Sequence, residues 1–342
     1  MKRKVIIIAE AGVNHNGNFE NAKELILAAA NAGADYVKFQ TFKADKLVSK
    51  DAQKAEYQKV NLKEDGDSQY DMLKKLEMSE AWHYDLIKYA NECGIKFLST
   101  GFDEDSIDFL ASLNIDLFKV PSGEITNKPY LEHIAKKGKP IVISTGMSNL
   151  QEIKDAVEVI QTHQIAKNKI TILHCNTEYP TPMKDVNLLA MDTIKNELGV
   201  QVGYSDHTLG IEVPIAAVAL GAVLIEKHFT LDRNMVGPDH LASLIPEELK
   251  QMVTSIRNIE LAISGNGVKE ASESENKNIN IARKSIYLKN DVLSGHIINI
   301  HDLIMKRPGD GISPMQVDKI IGKKILSDLK KDHKLKLKDI SL

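Results

Sequence analysis

The stretch VQVGYSDHTLGIEVPIAAVALGAVLIEKHFT, residues 200–230, decides the fold. It holds two short apolar runs, VQVGYS (200–205) and AVLIEKH (222–228), and each finishes in polar side chains. Ser205, Asp206 and His207 close the first; Glu226, Lys227 and His228 close the second. Near-continuous apolar runs of this length read as strands buried on both faces, the condition of a parallel sheet. The same unit recurs upstream. KVIIIAEAG (4–12), ADYVKFQ (34–40), IKFLST (95–100), DLFKVPS (116–122), PIVISTG (140–146) and KITILHC (169–175) are further candidate strands. Between them lie helix-period segments such as NAKELILAAANAG, EAWHYDLIKYANECG, NLQEIKDAVEVIQTH and EELKQMVTSIRNIELAI. Several helices close on a glycine (Gly33, Gly94, Gly138), as helix C-termini do. Eight such units in about 260 residues match the number and size of a (β/α)8 TIM barrel, an α/β fold. An open doubly wound sheet is the competitor, but no Gly-x-Gly-x-x-Gly turn follows the first strand.

The expected organisation is a barrel over residues 1–263, a linker over 264–281 and a small unit over 282–342. The linker reading rests on SGNGVKEASESENKNIN, a polar stretch rich in Gly, Ser, Asn and Glu. The small unit carries an internal echo, NDVLSGHIINIHDLI (290–304) against SDLKKDHKLKLKDIS (327–341). This aligns Asp291 with Asp328, His296 with His333 and Asp302 with Asp339, and it predicts a compact, mostly β module with internal symmetry. His296 and His333 are read as serving turns. Residues 43–78 form a long polar insertion after the second strand, where barrels carry functional lids.

Apolar content of 43% and charged content of 27% are those of an ordinary soluble protein. A net charge of −3 implies no nucleic-acid or membrane partner, so an anionic substrate must be held by local cations. The start, MKRKVIIIAEAG, has too short an apolar run for a secretory signal, and no segment approaches a membrane span. Two cysteines, Cys93 and Cys175, show no metal-type spacing, which reads as a reduced, cytoplasmic protein.

Chemistry in such barrels gathers at the C-terminal ends of the strands. Those ends carry Glu10; Lys38 and Gln40; Ser99 and Thr100; Lys119, Ser122 and Glu124; Ser144 and Thr145; His174 and Asn176; and the two clusters above. Lys38 and Lys119 with neighbouring hydroxyls suit a phosphate or carboxylate. Imidazoles on adjacent strands can converge on one divalent cation with positions left open for water and substrate. Glu10, Glu124 and Asp239 remain for proton transfer or hydroxyl recognition. An anion site, a metal site and acid–base groups together suggest condensation of an anionic substrate with a carbonyl compound. Each element also has a plainer reading. A strand-end histidine can be a structural hydrogen-bonder, a lysine can be merely paired, and Cys175 can be core-packed. Glu226 can serve only to orient Lys227 or a ligand histidine, and His15 can cap a loop.

The motifs EAGVNHNG (10–17), VKFQTFKAD (37–45), KVPSGEITN (119–127), STGM (144–147), EYPTP (178–182), GYSDHT (203–208), EKHFTLD (226–232) and GPDHLAS (237–243) resemble those of the sialic acid synthases. KRPGDGISP (306–314) resembles the antifreeze-like (SAF) domain that follows the barrel in that family. The resemblance runs from end to end and implies a transferase that condenses phosphoenolpyruvate with an open-chain N-acetylmannosamine-type sugar and releases phosphate by C–O cleavage. It places phosphoenolpyruvate on Lys38, Thr100, Lys119, Ser122, Ser144 and Ser205, and the sugar on Gln40, Tyr179, Asp239 and Glu10. Glu124 matches the carboxylate that manages protons, and His207 and His228 match the ligands of a divalent ion, Mn2+ first, with Mg2+ or Co2+ as alternatives. Arg307 matches an arginine that the small domain inserts into the partner subunit's site, so a domain-swapped homodimer is implied. Gly101 in LSTGFDE and Thr177–Glu178 in NTEYPTP depart from the commonest pattern at positions expected to border the sugar. They incline the reading toward the branch that makes N,N'-diacetyllegionaminate over the one that makes N-acetylneuraminate. Two rival readings stand beside it. One is a metal-independent Schiff-base aldolase or lyase using Lys119 or Lys227; the other is a non-enzymatic carbohydrate-binding protein with an inert barrel.

Overall fold

The computed structural model describes residues 4–62 and 68–341; residues 1–3 of the N-terminal stretch and 63–67 of the insertion lie outside the described residues. The chain divides into two compact units, Met1–Ser264 and Gly265–Leu342. In the first, all eight expected strands form: β1 (Ile6–Gly12), β2 (Tyr36–Thr41), β3 (Lys96–Gly101), β4 (Phe118–Val120), β5 (Ile141–Ser144), β6 (Ile170–Cys175), β7 (Gln201–Asp206) and β8 (Leu224–His228). They pair in parallel in the order β3-β2-β1-β8-β7-β6-β5-β4. The ends of this sheet, β3 and β4, approach within 8 Å at their Cα atoms, so the strands curl into a nearly closed barrel. Helices return the chain from each strand to the next. They are α1 (Phe19–Ala32), α2 (Ala44–Leu47), α3 (Glu56–Leu62), α4 (Gln69–Leu76), α5 (Glu80–Glu92), α6 (Glu104–Ser112), α7 (Lys128–Ala135), α8 (Leu150–Thr162), α9 (Ala190–Leu198), α10 (Glu212–Ala219) and α11 (Pro246–Ala262). Their starts follow ordinary capping chemistry. Asn18 accepts from the Glu20 and Asn21 amides, and Asn149 and Glu152 cap each other's amides at the head of α8. Among the described residues, no helix is long and apolar enough to cross a membrane.

The insertion folds into α2, α3 and α4 rather than an open loop. Met72 and Leu76 of α4 bury themselves with Leu62 against Val13 and Phe42, which lie just beyond the ends of β1 and β2. Asn61 donates to the Pro238 carbonyl at 2.6 Å, and Glu77 accepts from the Ala44 amide at 2.7 Å. The segment therefore has a small core of its own, seated on the C-terminal ends of the strands.

The parallel register sets Ser205 beside Glu226 and Asp206 beside Lys227, while Glu10 neighbours both His228 and Lys38. Alternation along β8 turns Glu226 and His228 into the barrel mouth and Lys227 to the opposite face. Lys227 is wholly buried and donates to Asp206 at 2.6 Å and to the Thr208 carbonyl. Asp206 also accepts from the amide and hydroxyl of Thr208, both at 3.0 Å. The partner of Asp206, which no sequence pattern identified, is thus Lys227. Close approach of the two strands depends on Gly203, where a Cβ would sit 2.2 Å from the Leu224 carbonyl oxygen.

In the second unit a helix, α12 (Glu273–Ala282), forms across the second half of the stretch read as linker and ends one residue beyond it. Its start is fixed by Glu275, whose carboxylate accepts from the Ser272 amide at 2.9 Å. Beyond it, β9 (Ser285–Leu288) and β10 (Leu303–Lys306) pair antiparallel, and the echoed halves pack around Ile286, Leu288, Ile298, Ile325 and Leu335. The echo is physical. Asp328 accepts from the Ser294 amide and Asp291 from the Lys331 amide, each at 2.8 Å, so each half caps a turn of the other. His296 binds Asp302 and His333 binds Asp339, both at 2.8 Å, which fixes the equivalent turns.

Because Asp206 would keep a buried, unpaired charge, Lys227→Met should cost the barrel about 3–5 kcal/mol in urea unfolding. A loss below about 1 kcal/mol would show that the pair does not clamp β7 to β8.

Candidate active site at the mouth of the barrel

A cavity of about 580 Å3 opens at the C-terminal ends of the strands, and polar groups from all eight strands or the turns after them reach it. Four charged side chains make its floor. Lys38 lies 2.7 Å from Glu10 and 3.6 Å from Glu226, and Lys119 lies 2.8 Å from Glu226. All four are buried. Lys38 also donates to Thr100 at 3.1 Å, and the Ser205 hydroxyl donates to Glu226 at 3.1 Å.

Burial opposes ionisation of Glu226, yet Lys119 and Lys38 beside it pull its carboxyl down to about 2. Burial acts on Glu10 with less opposition from Lys38 and pushes it up to about 7. Lys38 is raised, because Glu10 and Glu226 outweigh its burial, whereas burial wins at Lys119 and lowers it. With one firmly ionised carboxylate against two ammonium groups, the floor attracts anions near neutral pH.

Beside the floor stand the two imidazoles. The His207 and His228 ring centroids are 5.3 Å apart, and Tyr179 stacks on His207 at 4.0 Å. His207 Nδ1 donates to the Asn176 carbonyl at 2.5 Å, which leaves Nε2 with its lone pair. Burial lowers His207 to about 4; burial and the neighbouring His207 drive His228 well below its ordinary value. Both rings are neutral, as metal ligation requires. Among the described residues, His228 Nδ1 is buried with no hydrogen-bond partner, and so is the Ser144 hydroxyl, which also lines the cavity. Orphaned buried polar atoms facing a cavity mark places for a ligand. The donors thus fit a divalent ion held by two histidines and completed by water or substrate. Among the described residues, no three His, Cys, Asp or Glu side chains converge to enclose one.

The structure brings Gln40, Ser122, Glu124, Tyr179 and Asp239 to the same cavity as the floor and the histidines. Gln40 donates to Glu10 at 3.4 Å, Glu124 accepts from Asn127 at 2.6 Å, and burial raises Asp239 to about 6. Of the residues singled out as site candidates, Arg307 alone belongs to the second unit, where it is exposed and donates to the Ala282 carbonyl at 2.9 Å. Three other candidates turn out to be structural. Thr145 donates to the Leu173 carbonyl, His174 to the Val186 carbonyl, and His15 caps its loop by accepting from the Gly17 amide. Thr177 and Glu178 line the cavity but Gly101 does not; a Cβ there would press on the Ile107 amide at 3.1 Å.

Glu226 is the residue that the sequence reading undervalued. It faces the floor, not Lys227, and the signal was available: Glu226 lies two residues before His228 on one strand and so shares its face. Lys227, buried and bound to Asp206 away from the cavity, is excluded as a Schiff-base lysine.

The NeuB family model matches residues 25–269 and the SAF domain model residues 283–341. The chain is 52% identical to the N,N'-diacetyllegionaminic acid synthase of Campylobacter jejuni, over 97% of this chain and 98% of that protein. It is also 52% identical to the protein of that name from Legionella pneumophila, over 94% and 91% of the two chains. The crystal structure of an N-acetylneuraminic acid synthetase from Leptospira borgpetersenii, in complex with citrate, superposes with a TM-score of 0.70. It is 32% identical over 81% of this chain and 90% of that one. The chain belongs to the NeuB family.

Removing one ammonium group from the floor is expected to weaken anion binding. Lys119→Met should raise the dissociation constant for inorganic phosphate about 10–100-fold in calorimetry, the worth of a charge-assisted hydrogen bond. An unchanged constant would place the anion elsewhere.

Proposed function

We propose that this protein condenses phosphoenolpyruvate with an N-acylated mannose-type sugar to give a nonulosonic acid and inorganic phosphate. The acceptor is 2,4-diacetamido-2,4,6-trideoxymannose ahead of N-acetylmannosamine. The observation that carries the reading is one cavity that joins a cationic floor to two adjacent neutral imidazoles. The relatives named for N,N'-diacetyllegionaminic acid support the acceptor.

Lys38, Lys119 and the hydroxyls of Thr100, Ser122, Ser144 and Ser205 hold the carboxylate and phosphate, supplying orientation and charge. His207 and His228 would hold a divalent cation, Mn2+ in this reading, which when bound polarises a carbonyl oxygen as a Lewis acid. Gln40, Tyr179 and Asp239 set the sugar so that its aldehyde carbon faces the alkene carbon of phosphoenolpyruvate. A carbon–carbon bond forms between these atoms, the aldehyde oxygen takes up a proton, and positive charge develops at C2. Water adds at C2 and gives its proton to Glu124 or a neighbouring carboxylate. In the resulting hemiketal phosphate the C2 hydroxyl gives up its proton to the departing phosphate and becomes the C2 carbonyl as the bond from C2 to the phosphate-bearing oxygen breaks. Asp239 near 6 and Glu10 near 7 can exchange protons at neutral pH. We further infer a cytoplasmic homodimer in which the small unit of one subunit supplies Arg307 to its partner's cavity, as the family resemblance implies.

The test is phosphate release with phosphoenolpyruvate and each sugar in turn. Release with neither would overturn the synthase; full activity under chelation, combined with inactivation by borohydride and substrate, would favour a Schiff-base enzyme on Lys119. His207→Ala and His228→Ala should each melt like the wild type yet lose about 10³ or more in metal-dependent rate. For the dimer, a barrel-site variant mixed with Arg307→Ala should regain activity through hybrid subunits, and no regain would count against shared sites.

A further inference from the structure

One side of the cavity is left unused by this chemistry. Opposite the charged floor, α4 presents Gln69, Met72, Leu73 and Leu76, a single helical face at i, i+3, i+4 and i+7. Of its other residues, Asp71, Lys74 and Lys75 are exposed and Tyr70 is partly buried. Leu47 and Val48, the last residue of α2 and the one after it, extend the same wall. Met72 and Leu76 are spent on the small core beneath, but Leu47, Val48 and Leu73 are only partly buried and keep apolar surface toward the cavity. Gln69 ends the row with a carboxamide, the group that pairs with the N–H and C=O of an acetamide. Such a wall is wetted at a cost until something apolar covers it.

We propose that this wall selects the acceptor by its methyl groups, an assignment that rests on the synthase reading above. A 2,4-diacetamido-2,4,6-trideoxy sugar brings two acetamido methyls and a C6 methyl to the wall. N-acetylmannosamine brings one acetamido methyl and would press its C6 and C4 hydroxyls, stripped of water, onto leucine and valine side chains. The chemistry sits on the strands and the choice of sugar on the insertion, so the two can be separated by mutation.

The experiment uses full-length enzyme, phosphate release, and the variants Leu73→Gln and Val48→Thr, the second being close to isosteric. Each should raise KM for the trideoxy sugar about 10-fold, the worth of a lost methyl contact. KM for phosphoenolpyruvate and the melting temperature should stay at wild-type values. The preference for the trideoxy sugar over N-acetylmannosamine should shrink by a similar factor. An unmoved sugar KM in both variants, or a parallel rise in both substrates' KM, overturns the wall as a selector. A wild-type enzyme that accepts N-acetylmannosamine and refuses the trideoxy sugar also overturns it, while leaving the synthase intact. No release with either sugar overturns the synthase reading and the wall with it.

Discussion

Two ammonium groups cannot be buried in one barrel mouth without a compensating charge, and Glu226 is the carboxylate that meets both, joined at Lys38 by Glu10. Stripping water from each ion costs several kcal/mol, which only close pairing offsets. Glu226 meets Lys119 at 2.8 Å and Lys38 at 3.6 Å from a single position on β8. That requirement fixes the strand's parity. If β8 slipped by one residue, Lys227 would join two lysines on the floor and Glu226 would fall among the apolar side chains behind the sheet. Lys227, once turned away, needs Asp206, and Asp206 in turn leaves Ser205 and His207 facing the cavity. One electrostatic demand thus sets both histidines in place.

The division of labour in the cavity follows from which parts of the chain are rigid. Floor and imidazoles stand on strands locked into a shared hydrogen-bonded sheet, where a misplacement of even an ångström would cost rate. The insertion joins the barrel through a handful of apolar contacts, the hydrogen bond from Asn61 to the Pro238 carbonyl and an ion pair from Lys46 to Asp105, and it can carry recognition without disturbing the strands beneath.

Much of this was legible in the sequence because parallel strands buried on both faces leave a blunt signal: an apolar run that stops at a polar cluster. The eight runs gave the barrel, and their ends gave Lys38, Lys119, His207 and His228. What stayed hidden depended on direction or distance. Asp206 and Lys227 are twenty-one residues apart in sequence, and only the register of β7 against β8 pairs them. Glu226 could have been placed by alternation with His228, but a Glu-Lys-His string reads first as an ion pair between neighbours. The wall was masked by composition, since Leu47, Val48, Met72, Leu73 and Leu76 are scattered through a segment otherwise rich in Lys, Asp and Gln. The helix over Glu273–Ala282 was missed although Ser272 and Glu275 stand at capping-box spacing, because the polar stretch lacks an apolar stripe.

The crossed aspartates of the second unit carry a consequence for its integrity. The amides of Ser294 and Lys331 find their acceptors in the opposite half, Asp328 for one and Asp291 for the other. Neither half is therefore a miniature of the whole: severed from its twin, each would lose the carboxylate that terminates its own turn. The two halves must order in a single all-or-none step, and a nick anywhere between them threatens both at once.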